Sequence, residues 1–316
     1  MKTLANNYST AALFCLVSVL IFAVGIAGQQ SLHKALDQDG DNKADFLVFR
    51  PGNNVWYANR SNGTQTSTAF GLGDRDIPVP GDYDGDGRGD IAVWRDTTGV
   101  FYYLESSTGN FKAFQFGQSG DEPVARRWDA DNKTDFAVVR RRNGQAIWYI
   151  WNSQTNSLRA EVFGFSTDNL AAGDYDGDGR FDVAVQRVVN GQGVFYINQS
   201  TGGFRADYWG AAGDTLVPGD YDGDGKTDVA VTRDINGSLV WYIKKSTDNQ
   251  LLAYQWGASA SDYAVQSDYD GDGKTDIAVW RDTNGFFYIR KSTDGGLQAA
   301  QWGTSGDLPI ASYDSR

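Results

Sequence analysis

The chain has 316 residues, of which 40 are acidic and 28 basic, giving a formal net charge of −12 with 14% aromatic and 41% hydrophobic content. So acidic a surface repels nucleic acid and anionic membranes, and the aromatic content argues for a packed core rather than a disordered chain. A single histidine near the start of the chain speaks against a Ser-His-Asp or Cys-His arrangement and a typical zinc site, and one cysteine leaves no internal disulfide.

At the N-terminus Lys2 precedes an apolar run from Ala11 to Ala27 that ends in the small residues Gly25 and Ala27 ahead of Gly28. This predicts a secretory signal peptide over residues 1–27 and a secreted mature chain over residues 28–316. An uncleaved anchor is the alternative, for which the run is short. Cleavage would remove Cys15 and Met1, and no segment beyond residue 27 is apolar for long enough to insert in a bilayer. His33 is expected to be solvated.

Only Glu105, Glu122 and Glu161 among the acidic residues are Glu, a bias that speaks against helix. The aspartates cluster in nine-residue segments starting at Asp37, Asp82, Arg127, Asp174, Asp220 and Asp268. Their spacing, in the mid-forties, marks a repeat architecture. Each segment leads into an apolar stretch (FLVFR, IAVWR, FAVVR, VAVQR, VAVTR, IAVWR) and then an aromatic one (NVWYA, VFYYL, AIWYI, VFYIN, LVWYI, FFYIR). A polar turn such as SSTGN or STDG follows, then a segment ending in Phe-Gly or Trp-Gly, then an extended piece such as DIPVPGD.

Four short strands per unit, with no stretch at helical spacing, read as the blade of a β-propeller. The predicted fold class is all-β: a single β-propeller of six four-stranded blades, with seven blades as the alternative. DLPIASYDSR begins a further unit without completing it. That C-terminal strand is expected to pair into the first blade, whose own entry, SLHKAL, is a poor strand, and so close the ring.

The loop D-x-D-x-D-G-x-x-D offers carboxylates at positions 1, 3, 5 and 9 and a main-chain carbonyl at position 7, the oxygen-rich set that Ca²⁺ takes. Mg²⁺ prefers to keep its waters. Candidate ligands are Asp37, Asp39, Asp41, Asp45 and Lys43 in loop one, and Asp82, Asp84, Asp86, Asp90 and Arg88 in loop two. Loop four supplies Asp174, Asp176, Asp178, Asp182 and Arg180; loop five, Asp220, Asp222, Asp224, Asp228 and Lys226; loop six, Asp268, Asp270, Asp272, Asp276 and Lys274. Loop three, at 127–135, has Arg127 at position 1 and keeps only Asp129, Asp131 and Asp135. There the guanidinium is expected to replace the metal with an internal ion pair, leaving about five calcium sites. A plain solvated turn is the alternative, but so many mutually repelling carboxylates per loop argue against it.

The recurring Phe-Gly or Trp-Gly followed by GDYDGDGKTDIAV resembles the FG-GAP and VCBS-type repeats of calcium-loop β-propellers, the class that includes the integrin α-subunit head. The resemblance covers essentially the whole mature chain. It implies calcium between the first two strands of each blade and a role in extracellular binding or adhesion. VWR stands where the family name has Gly-Ala-Pro, and integrin-type heads have seven blades.

Arg50, Arg95, Arg140, Arg187, Arg233 and Arg281 recur at one place in every unit. They are read as bonding neighbouring carboxylates or strand ends, with an anion-binding ring as the alternative. Pairs such as Trp148-Tyr149 and Trp241-Tyr242 are read as core, with sugar-stacking platforms as the alternative. Trp151 and Trp128 depart from the repeat and are candidate exposed aromatics. The function expected is a non-catalytic, monomeric binding or adhesion module with an extracellular protein or glycan ligand. A lectin comes second, and a calcium-dependent polysaccharide lyase or glycosidase third.

Overall fold

The structure, a computed structural model, describes residues 33–73 and 75–310; the predicted signal peptide lies outside them. After each acidic loop comes a short segment rich in β-branched and aromatic residues, apolar on both faces, as a strand covered on both sides requires. These segments become the second strands of six four-stranded antiparallel sheets arranged as a propeller.

Blade two consists of Asp76–Pro78, Ile91–Arg95, Val100–Leu104 and Phe111–Gln115; blade three of Glu122–Pro123, Phe136–Arg142, Gln145–Asn152 and Ser157–Phe165. Blade four consists of Asn169–Leu170, Val183–Val189, Gln192–Gln199 and Gly203–Ala211; blade five of Thr215–Leu216, Val229–Ile235, Ser238–Lys244 and Leu251–Ala258. Blade six is Asp262–Ala264, Ile277–Arg281, Phe286–Arg290 and Leu297–Gln301. Blade one joins the two ends of the chain: Leu308–Pro309 pairs with Phe46–Arg50, which continues to Val55–Asn59 and Gln65–Ala69. His33–Leu36, the poor entry strand, is a single helical turn, and no helix among the described residues is long and apolar enough to cross a membrane.

Burial falls from the second strand outward. In blade one Phe46–Arg50 is buried at its three central residues, Val55–Asn59 alternates, and Gln65–Ala69 is mostly exposed. The core therefore forms one apolar wedge per blade interface. Val48 of blade one packs with Trp280, Phe287 and Ile289 of blade six, and Phe101 of blade two with Phe136 and Val138 of blade three. Trp148 and Trp241 are fully buried in such wedges, while Tyr149 and Tyr242 lie half-buried beneath Arg140 and Arg233. Both pairs are core, as expected.

The six repeated arginines lie at or two residues before the ends of the second strands, and each clasps an aspartate at or just before its blade's first strand through Nε and Nη2. Arg95 holds Asp76 at 2.7 and 2.9 Å and Arg281 holds Asp262 at 2.7 and 2.8 Å. Arg140, Arg187 and Arg233 hold Asp121, Asp168 and Asp214 in the same way. In blade one the partner comes from the other end of the chain: Arg50 holds Asp307 at 2.6 and 2.8 Å. These are the structural pairs that the sequence suggested.

The same aspartates fix the Phe-Gly and Trp-Gly turns. Asp76 Oδ2 accepts the Leu72 N–H at 2.7 Å, just beyond Gly71. Gly71 has φ +95°, and a Cβ there would stand 3.3 Å from Asp76 Oδ2 and 3.1 Å from Val93, so glycine answers both backbone and space.

Closure by the C-terminal strand makes a prediction. Asp307→Ala should lower unfolding stability by about 2 kcal/mol, because the partly exposed Arg50 loses a bidentate, charge-assisted partner. Truncation after Gly306, which also removes the closing strand, should lower it further. Urea denaturation measures both, and a truncated chain that unfolds like the full one would refute the closure.

Candidate metal centre in the acidic loops

Each loop lies between the first and second strands of its blade, so all six gather at the end of the propeller opposite the arginine pairs. In the five full loops the position 1 aspartate organises the backbone. Its Oδ1 accepts the N–H of position 4 at 2.5–2.7 Å, and its Oδ2 that of position 6 at 2.8–2.9 Å. Such a wrap needs left-handed backbone at both places, supplied in loop one by Gly40 (φ 83°) and Asn42 (φ 66°) and in loop six by Gly271 and Gly273.

Position 9 joins two elements. Asp228 accepts the Tyr221 N–H at 2.9 Å from its own loop and the Ser246 N–H at 2.6 Å from the turn between the third and fourth strands. Asp45, Asp90, Asp135, Asp182 and Asp276 repeat this arrangement.

That turn carries residues the sequence reading passed over. Ser246 Oγ donates to Asp224 at position 5, and Thr247 Oγ1 to Asp222 at position 3, at 2.8 and 2.6 Å. Ser200 and Thr201 do the same for Asp178 and Asp176, as do Ser106 and Ser107 for Asp86 and Asp84. Ser61 Oγ reaches Asp41 and Thr293 Oγ1 reaches Asp270. The repeated Ser-Thr ahead of the fourth strand was the available signal.

Carboxylate oxygens converge in these loops. Those of Asp37, Asp39 and Asp45 lie within 4.8 Å of one another, as do those of Asp82, Asp84 and Asp86, of Asp174, Asp176 and Asp182, and of Asp220, Asp222 and Asp228. In loop six Asp268 binds the Gly271 and Gly273 N–H groups, Asp270 the Thr293 hydroxyl, and Asp272 the Lys274 N–H. Position 7 enters through its N–H, which donates at 2.9 Å to position 5 from Lys43, Arg88, Arg180, Lys226 and Lys274. The Arg88 and Arg180 guanidinium groups also turn back onto Asp86 and Asp178.

The loops hold carboxylates under strain. Burial pushes Asp45, Asp90, Asp182 and Asp228 up to about 7, and Asp174, Asp220, Asp268 and Asp276 up to about 6. Neighbouring aspartates add to the rise in every one of these. Asp39, Asp176 and Asp222, all at position 3, each keep a buried Oδ1 with no hydrogen-bond partner. Buried oxygens without donors, among carboxyls displaced towards protonation, fit a hard cation, and the donors are all oxygen.

Loop three departs from the expectation. Arg127 forms no ion pair among the described residues, and its Nε is buried without a partner. Asp129, Asp131 and Asp135 still converge within 4.8 Å, so the loop retains a reduced acidic set rather than an internal salt bridge. Without a position 1 carboxylate, the N–H groups of positions 4 and 6 lose their common acceptor, and position 4 is Ala130 in place of a left-handed glycine.

Trp128 and Trp151 are not the exposed aromatics expected. Trp128 is 2% exposed, and its Nε1 donates to the carbonyl of Val124 at 3.0 Å. Tyr83, Tyr175, Tyr221 and Tyr269 reach the carbonyl four residues back with their hydroxyls at the equivalent place, so the tryptophan substitutes one donor for another. Trp151 packs half-buried against Phe114 and Phe116 of blade two.

No curated protein sequence matches the chain. Among solved structures it is similar to dihydro-heme d1 dehydrogenase NirN (TM-score 0.43, 13% identity, 84% of this chain and 55% of that one). It is also similar to virginiamycin B lyase from Staphylococcus aureus in complex with quinupristin (TM-score 0.47, 8% identity, 82% and 85%) and to the Dos1 propeller (0.38, 9%, 83% and 73%). The chain thus spans little more than half the length of the dehydrogenase. The FG-GAP-like repeat matches residues 37–93, 127–185 and 174–231, half of the chain, and each match runs from one acidic loop through the next. With six blades, a Phe-Gly or Trp-Gly turn in each and an acidic loop between the first two strands, the chain belongs to the FG-GAP-like repeat family.

Proposed function

We propose that this is a secreted propeller whose acidic loops bind calcium as a structural ion, and that it serves as a non-catalytic extracellular binding or adhesion module. The observation that carries the calcium reading is the set of donorless buried oxygens on Asp39, Asp176 and Asp222 beside carboxyls raised by burial. Loops one, two, four, five and six, with their four aspartates, are the strong sites. Loop three, lacking position 1, is the weak one.

Support for a binding role comes from the opposite end. The second and third strands of blades three, four and five run seven or eight residues against five elsewhere, so their hairpins stand beyond the rest. Val188, Val189 and Ile235 are exposed at these tips. A protein or glycan ligand outside the cell, bound by a monomer, is the partner this reading implies.

Thermal unfolding with EDTA and with millimolar calcium, paired with a calorimetric ion count, tests the proposal. With a Kd of roughly 10⁻⁴ M, five ions would add roughly 7 kcal/mol at that concentration and raise Tm by roughly 15 °C or more. About five ions bound is the expected count. No ion and no shift would refute it.

The pH dependence is a second test. Folded carboxyls near 6 to 7, above the ordinary aspartate value, hold protons that the unfolded chain releases. Their contribution to metal-free stability is full below about pH 4 and falls away as pH rises through 6 and 7. Calcium displaces those protons, so the Tm increment it gives should grow from pH 5 to pH 8. An increment independent of pH would show that these carboxyls are not the ligands.

A further inference from the structure

The loops are joined to one another around the ring. Position 8 of each donates its N–H to the position 1 carbonyl of the loop before it: Gly89 to Asp37, Phe181 to Arg127 and Ala44 to Asp268 at 2.7 Å, and Thr134 to Asp82, Thr227 to Asp174 and Thr275 to Asp220 at 2.6 Å. The bond from Ala44 to Asp268 completes the circle. Position 8 adjoins the position 9 carboxylate, so each bond ties the end of one ligand set to the start of its neighbour's.

A second contact runs beside the first. The aliphatic stem of position 7 lies over the position 4 glycine of the preceding loop, whose N–H the position 1 carboxylate holds. A Cβ on Gly85 would come within 3.0 Å of Lys133, on Gly223 within 2.8 Å of Lys274, and on Gly271 within 2.9 Å of Lys43. Both contacts therefore touch the backbone that a cation would order.

We propose that the loops take up their cations cooperatively, as one ring-coupled set; this rests on the calcium reading above. A cation at one loop fixes its position 1 carbonyl and position 4, and those in turn hold positions 7 and 8 of the next loop, beside that loop's own position 9 ligand. The next cation enters a backbone already ordered and loses less conformational entropy, which is positive coupling. Repulsion between bound cations works against the coupling, but four aspartates with one Lys or Arg remain negative after a divalent ion has bound, so each further ion still meets an attractive site.

Loop three interrupts the set. Between loops three and four the Phe181–Arg127 backbone bond and the Trp128–Phe181 ring contact remain, with no position 1 carboxylate behind them. The full loops thus form an arc running four, five, six, one, two, with loop six at its centre and the join between chain ends inside it. Loss of the central site should weaken its neighbours more than loss of a terminal one.

Native mass spectrometry of the EDTA-stripped chain titrated with calcium alone tests this. At half-saturation the empty and fully loaded species should dominate, with intermediates depleted. Asp270→Asn in loop six should lower the affinity of the remaining sites about fivefold or more, and Asp84→Asn in loop two, at the end of the arc, by less; each removes one charge, so each controls for the other. A binomial spread of intermediates, or variants that each lose one ion and leave the rest unchanged, would overturn the coupling and leave calcium binding intact. No calcium uptake at all would overturn both.

Discussion

A carboxylate buried at the end of a β-strand must be surrounded by donors, and this molecule draws those donors from its own backbone. At one end of every blade the position 9 aspartate takes N–H groups from its loop and from the turn beyond the third strand. At the other, an aspartate by the first strand takes an arginine and the N–H after a glycine. Strand pairing runs between these two fastenings. The preference for Asp over Glu follows: the shorter side chain reaches a neighbouring N–H with one fewer rotatable bond to immobilise.

The two ends solve the same burial problem differently. At the arginine end each carboxylate meets a fixed cation from its own chain and the site is complete. At the loop end the carboxylates face one another, with hydroxyls and N–H groups as partial substitutes, and three position 3 oxygens have none. The first arrangement holds at any metal concentration; the second, under the calcium proposal, makes part of the fold's stability a property of the surrounding fluid.

The architecture was legible because repetition states the same local rule six times. Turn, strand and loop signals recur in one order, and the incomplete last unit shows where the ring must join. The converging acidic loops were legible for the same reason. What stayed hidden lies between units. The Ser-Thr clamp reaches back from a different hairpin, and composition alone reads it as a turn. The contact from position 8 to position 1 crosses a full period and is made by main-chain atoms, which leave no mark on side-chain identity. Trp128 misled because rarity in a repeat suggests a special role, whereas an indole N–H and a phenol O–H reach the same carbonyl. Arg127 misled because a guanidinium among aspartates suggests a pair that the geometry does not form.

The indole groups also grade the blade interfaces. Trp209, Trp256 and Trp302 donate to the carbonyls of Tyr242, Tyr288 and Tyr57 in the following blades, at 3.0, 3.0 and 3.1 Å. Phe70, Phe116 and Phe163 occupy the corresponding places in blades one to three and have no such donor. The seam between the last blade and the first is thus among those latched by a tryptophan. During synthesis that seam is also the last to form. The paired edge of Phe46–Arg50 awaits residues 308 and 309, so blades two to six must all be made before the first blade has its full complement of strands. A chain that stops short of residue 308 would keep that edge open, an unpaired strand of the kind through which β-proteins associate edge to edge.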